Sequence, residues 1–175
     1  ESAASAGIRP GGAAYAALLR LSRRIYASAD VIFASSMMFE RYFRDTLGVD
    51  VPVRYLPVYA EGLFDDVPPK APGEGIDLVF AGNVGEMQSV DTIIRAAAEL
   101  MDDPRVRFHI VGEGSALEKC RALASQLGAS NVVFHGRRPI EEMPVFYGRA
   151  DAFLVTLKRN EAISYTLPNK VQSYM

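Results

Sequence analysis

Apolar positions along the first third of the chain recur at helical spacing and then collapse into short unbroken runs. From Ala13 to Ala27, Tyr15, Leu18, Leu19, Ile25 and Tyr26 share one stripe while Arg20, Arg23 and Arg24 fall largely off it, which predicts an amphipathic helix with a solvated charged face. Val31 to Ala34 suits a short buried strand. Ser35 or Ser36 is then placed to cap a helix from Met37 to Leu47, which Gly48 ends, and a further strand is expected at Val53 to Leu56. From Pro57 to Gly75 prolines, glycines and acids exclude any regular element, so this stretch reads as a connector between two structural units.

Beyond the connector the period switches regularly between strand and helix. Strands are predicted at Ile76 to Ala81, Val106 to Val111 and Val132 to His135, with helices at Ser89 to Met101 and Ala116 to Leu127 between them. Val90, Ile93, Ile94, Ala97 and Met101 fall on one face of the first helix, and Leu117, Cys120, Leu123, Ala124 and Leu127 on one face of the second. Ser115 and Glu118 have the spacing of a capping box, and Gly128 follows as a stop. A helical stretch from Glu141 to Arg149 interrupted by Pro144, a strand from Ala152 to Thr156 and a last helix opening around Pro168 complete the pattern. Strands alternating with helices imply right-handed crossovers: an α/β fold, a Rossmann-like parallel sheet with helices on both faces.

The chain has 175 residues, 49% hydrophobic and 23% charged, so a packed core is affordable by composition. Its net charge of −2 supplies no basic field, which disfavours nucleic acid as a partner. One cysteine, Cys120, excludes an internal disulfide and fits a reducing, cytoplasmic setting. Only His109 and His135 are available as imidazole ligands, so no metal site is expected. His109, inside a strand, reads as a partnered histidine, and Cys120 as a small core residue. Glu141 and Glu142 at a helix start are not an acid/base pair. Opening at Glu1 and closing at Met175 within a predicted helix, the chain is expected to be a piece of something longer.

Candidate chemistry gathers where the strands end. Ligands of open parallel sheets bind at the carboxyl edge, and Gly82, Asn83, Val84 and Gly85 follow the first strand of the second unit, as Gly112, Glu113 and Gly114 follow the next. Neither run is a dinucleotide fingerprint, because Leu117 stands where a third small residue is needed. Arg137, Arg138, Pro139 and Ile140 follow the third strand and are suited to a diphosphate or a base. Pro168, Asn169 and Lys170 open the last helix, where a lysine opposes the helix dipole unless an anion lies nearby.

In order and spacing these segments, from Val79 to Gly85, Asp91 to Ala98, Phe108 to Gly114 and Asn131 to Gly136, then Ala150 and Asp151, resemble the C-terminal domain of retaining glycosyltransferases of family 4, of GT-B architecture. The resemblance implies three parts: residues 1–56 as the end of an acceptor domain, 57–75 as the interdomain connector and 76–175 as a truncated domain for the nucleotide-sugar donor. It implies a UDP-sugar as donor substrate, no other cofactor, no metal, and a glycan or lipid-linked acceptor, at most peripheral to the inner membrane face. In that family an arginine follows the first glycine and a lysine comes five residues later; here the positions hold Asn83 and Gln88. The family's paired glutamates fall on Tyr165 and Ser173, with Glu161 displaced. The ending from Leu167 to Met175 resembles instead a branch with Pro-x-Lys and Tyr-Met that includes bacterial fucosaminyltransferases of surface-polysaccharide synthesis. In that reading Lys170 stabilises the leaving group, and the remaining catalytic residues are unassigned. A GT-B sugar-nucleotide epimerase and a non-catalytic flavodoxin-like binding module are the alternatives.

Overall fold

The computed structural model describes residues 9, 11–59, 62–65, 67, 70, 71, 73, 75–159 and 165–175. The chain divides into two compact units, Glu1–Val58 with Arg159–Pro168, and Tyr59–Lys158 with Asn169–Met175.

In the first unit, helix α1 (Ala13–Ala27) precedes strand β1 (Ile32–Ala34), which pairs in parallel with β2 (Val53–Tyr55), Ile32 opposite Val53. Between them α2 starts at Phe39–Arg41, later than the expected Met37, and continues as a wider π turn, Tyr42–Thr46. The Ser36 hydroxyl accepts the Met38 N–H at 3.3 Å in the turn before the helix, but Met38 holds the N-cap position with no side-chain capping bond, so neither expected serine caps α2. Ile32, Phe43, Leu47 and Val49 form the core, with Leu19 packed on it, and Tyr26 meets the Phe43 ring edge-on at 4.9 Å. The predicted stripe of α1 is therefore split: Leu19 turns to the core, whereas Leu18 and Ile25 are exposed.

The second unit is the expected doubly covered parallel sheet. Strands β3 (Ile76–Ala81), β4 (Val106–Val111), β5 (Val132–Gly136) and β6 (Ala152–Phe153) stand in the order β5-β4-β3-β6, all parallel. Helices α3 (Val90–Glu99) and α4 (Leu117–Leu127) cover one face, against Phe80, Phe108 and Ile110. Helix α5 (Met143–Gly148) covers the other through Phe146, against Val79, Ala81 and Val111. Because both faces are covered, neighbouring strand residues are buried alternately on opposite sides, and the strands read as continuous apolar runs. The chain steps outward from β3 to β5 and then returns to the far side of β3, which makes the gap between β3 and β6 the switch point of the sheet.

Several boundaries differ from the sequence pattern for local reasons. Helix α3 ends at Glu99, leaving Met101 exposed. Ser115 makes no capping bond to α4; the first turn is closed by backbone bonds, Leu117 N to Gly114 O at 3.1 Å and Ala116 N to Val84 O at 3.0 Å. Pro144 does not interrupt a helix but sits in the first turn of α5, where its missing N–H has no partner to lose. Strand β6 stops at Phe153 rather than Thr156, and the last helix, α6 (Lys170–Tyr174), begins after Pro168.

Candidate functional site

The loops leaving β3, β4 and β5 are laced together by backbone bonds: Gly82 N to Val111 O at 2.9 Å, Val84 N to Glu113 O at 2.7 Å and Gly112 N to Gly136 O at 2.8 Å. Gly112, at φ 137°, tolerates no side chain, since a Cβ there would lie 1.9 Å from the Gly82 carbonyl oxygen. Its first role is thus to let two loops cross at van der Waals distance. The lacing leaves a hollow of about 310 Å³ whose walls include Gly82 and Asn83, Gly112 and Glu113, and Arg137 and Arg138, one pair from each strand end. Arg138 is steadied by Nε donating to His135 O at 3.2 Å and by Glu142 at 3.6 Å. Pro139 and Ile140 line an open groove that continues from the two arginines.

Lys170 reaches the end of β3. Its Nζ is buried, has no hydrogen-bond partner among the described residues, and stands 3.9 Å from the Phe80 ring centroid. A Cβ on Gly82 would lie 3.1 Å from this ammonium, so the glycine also makes room for it. Burial pulls the Lys170 pKa down to about 8 from the usual 10.5. The ring face offers attraction but no acceptor for the three N–H groups.

The other expected residues scatter. Val84 is fully buried, and Gly85, though buried, borders a different hollow with Glu86, Ser89 and Lys119. Gln88 lies in a tight turn, Glu86–Gln88, with its carbonyl accepting from Thr156 Oγ1 at 2.6 Å. Gly114 is close-packed, as a Cβ would come within 2.4 Å of Val84 O. Ser173 faces a separate hollow beside Phe153 and Tyr174. Asn169 precedes α6 in the second unit, Pro168 belongs to the first, and Glu161 lies outside the described residues. The Cys120 thiol is buried against α3, and burial, with Asp91 and Glu86 near, pushes its pKa up.

Two arrangements escaped the sequence reading. Asp77, His109 and His135, from three adjacent strands, form a hydrogen-bonded chain beneath α5. Tyr174, from α6, bonds through its hydroxyl to the backbone of Ala81. Neither involves neighbours in sequence, although the Tyr-Met pair was part of the resemblance noted at the chain's end.

The profile of the family described as "Glycosyl transferases group 1" matches residues 64–167. WcaI of Escherichia coli, assigned as a glycosyl transferase of colanic acid biosynthesis, is 32% identical over 98 residues, 56% of this chain and 24% of that protein. A GDP-mannose-dependent alpha-(1-6)-phosphatidylinositol monomannoside mannosyltransferase of Mycolicibacterium smegmatis is 30% identical over 151 residues, 80% of this chain and 40% of that protein. Among solved structures, Anabaena HepE in complex with UDP and glucose superposes with a TM-score of 0.65 at 15% identity, over 79% of this chain and 41% of its own. The chain spans well under half the length of these relatives.

Proposed function

The chain belongs to the glycosyl transferases of group 1, and we propose that it is the donor-binding part of a retaining transferase. The enzyme moves a sugar from a UDP-sugar to a glycan or lipid-linked acceptor in the synthesis of a cell-surface polysaccharide. Residues 1–56 then end the acceptor domain, 57–75 connect, and 76–175 hold the donor. The membrane is met peripherally, at its inner face, through the rest of the protein.

One observation carries this reading: the Lys170 ammonium is buried beside Gly82 with no acceptor among the described residues. A buried cation without a counter-charge is costly, and a diphosphate oxygen at the β3 end supplies both charge and acceptor. Asn83 and Gln88 stand where related enzymes carry cations, which leaves Lys170, buried beside Gly82, and Arg137 and Arg138, in the wall of the hollow that Gly82 also lines, as the local positive charge. As the glycosidic bond breaks, charge grows on the leaving diphosphate, and a preorganised ammonium favours that state over the ground state. Arg137 to Ile140 frame the base.

Uridine as the base is supported by HepE, solved with UDP and glucose, while the mycobacterial relative's name makes GDP the competitor to include. The resemblance of the ending from Leu167 to Met175 to fucosaminyltransferases makes an amino sugar the first donor to try. Titration of UDP against uridine on wild type and Lys170→Ala provides the test. UDP binding is expected to weaken by about 10- to 150-fold and uridine binding to hold. Equal UDP affinities would remove Lys170 from the site.

A further inference from the structure

Strand β6 is too short to finish the sheet beside β3. It pairs Ala152 with Leu78 and Phe153 with Val79, and Leu154 N still reaches Val79 O at 2.8 Å, after which it diverges. Ala81, the last residue of β3, is 5% exposed and has its N–H and carbonyl turned towards the missing strand. Left alone, both groups would be buried and unpaired. One hydroxyl serves them together: Ala81 N–H donates to Tyr174 Oη at 2.8 Å, and Tyr174 O–H donates to Ala81 O at 2.8 Å. The Tyr174 ring is held in turn, stacked on Phe153 at 4.3 Å and edge-on to Tyr147 at 5.6 Å.

Lys170 lies one helical turn before Tyr174 on the same side of α6. The two side chains grip three consecutive residues of β3 and its loop: Lys170 over Phe80 and against Gly82, Tyr174 on Ala81 between them. We propose that Tyr174 is the positioning residue for Lys170: its bonds to Ala81 fix α6 on the end of β3 and so hold the ammonium buried at Gly82, where the diphosphate of the donor is taken. This inference rests on the reading of Lys170 given above. A five-residue helix has too few internal bonds to hold its own place, so the anchor must come from a side chain. Tyr174 does not touch the donor; it acts through Lys170.

The test compares Tyr174→Phe, Phe153→Leu and Lys170→Ala with wild type in the intact protein, by calorimetric titration of UDP and of uridine between pH 7 and 10. Tyr174→Phe removes one atom and keeps the ring stack. It is expected to weaken UDP binding by about 3- to 10-fold and leave uridine within about twofold. The pH at which UDP affinity falls is expected to move upward, from near 8 towards the ordinary lysine value of 10.5, because an unanchored α6 returns Lys170 to water. A loss of stability alone would not move that midpoint. Should Tyr174→Phe fail to fold, Phe153→Leu, which keeps the hydroxyl and loosens the ring, is expected to show the same upward shift. Wild-type UDP affinity and midpoint in a folded Tyr174→Phe, or in Phe153→Leu in its place, with Lys170→Ala still weakened, would overturn the role of Tyr174 and leave the Lys170 reading intact. UDP affinity unchanged in Lys170→Ala would overturn both.

Discussion

His109 Nε2 lies 2.9 Å from Asp77 Oδ1, a bond between two buried side chains on neighbouring strands. Asp77 also takes Lys70 Nζ at 2.8 Å and Arg107 Nε at 3.0 Å. Burial pushes its pKa up, but the bonds from Lys70 and His109 and the charge of Arg107 outweigh it and bring the carboxyl down to about 2. An ionised carboxylate only accepts, so His109 Nε2 is the donor to Asp77, and the other ring nitrogen, Nδ1, lies 2.9 Å from His135 Nε2.

Asp77→Asn is expected to destabilise the second unit by about 2 to 4 kcal/mol, since the buried His109 and the Arg107 guanidinium lose the carboxylate they share, whereas Lys70 keeps Asp151. The sign of the pH effect follows from a depressed folded pKa: the stabilisation is complete above the ordinary value of 3.8 and lost as pH falls towards 2. Denaturant titrations of wild type and variant at pH 6, 3 and 2 should therefore show a gap that narrows by pH 3 and nearly closes at pH 2.

His135 is held below the ordinary 6.5 by burial first, then by His109, Arg149 and Arg138. Its unfolded form binds a proton more readily, so stability rises with pH up to about 6.5 and declines as pH falls below it. His135→Gln should flatten that decline. Melting curves between pH 5 and 7 measure the slope, and an unchanged slope would place the protonation elsewhere.

Lys170 titrates in the opposite sense to a salt-bridged lysine. With its pKa lowered to about 8 from 10.5, the unliganded fold gains stability as pH rises between those values. A bound diphosphate restores the charge, so UDP binding above pH 8 should take up a proton. Calorimetry in two buffers of different ionisation enthalpy reads this uptake directly, and Lys170→Ala should abolish it.

Gly112→Ala should cost about 2 to 4 kcal/mol, because a Cβ 1.9 Å from Gly82 O forces the two loops apart at a φ that side chains rarely adopt. The same displacement moves Gly82 away from Lys170, so UDP affinity should fall together with stability. Gly128→Ala is the control: nothing lies within 4 Å of its Cβ, and its strain at φ 67° is confined to the end of α4.

The alternation of periods from Ile76 onward determined the parallel sheet and its two covering layers, because burial on both faces leaves its mark in local spacing alone. Glycines and arginines at successive strand ends likewise marked the carboxyl edge: Gly82, Gly112 and Arg137 do line one hollow. Helix ends were less legible. Ser115 has the spacing of a cap, but a carbonyl from the neighbouring loop, Val84 O, closes that turn instead. What only the tertiary structure decided lies between residues far apart in the chain. Tyr174 meets Ala81, and His109 meets Asp77 and His135, through contacts that exist only after four strands have taken their order. A side chain at position 174 carries no local sign that a strand ending at position 81 will lack a neighbour. That lack depends on where β6 diverges, and the buried backbone groups it exposes are what the hydroxyl satisfies.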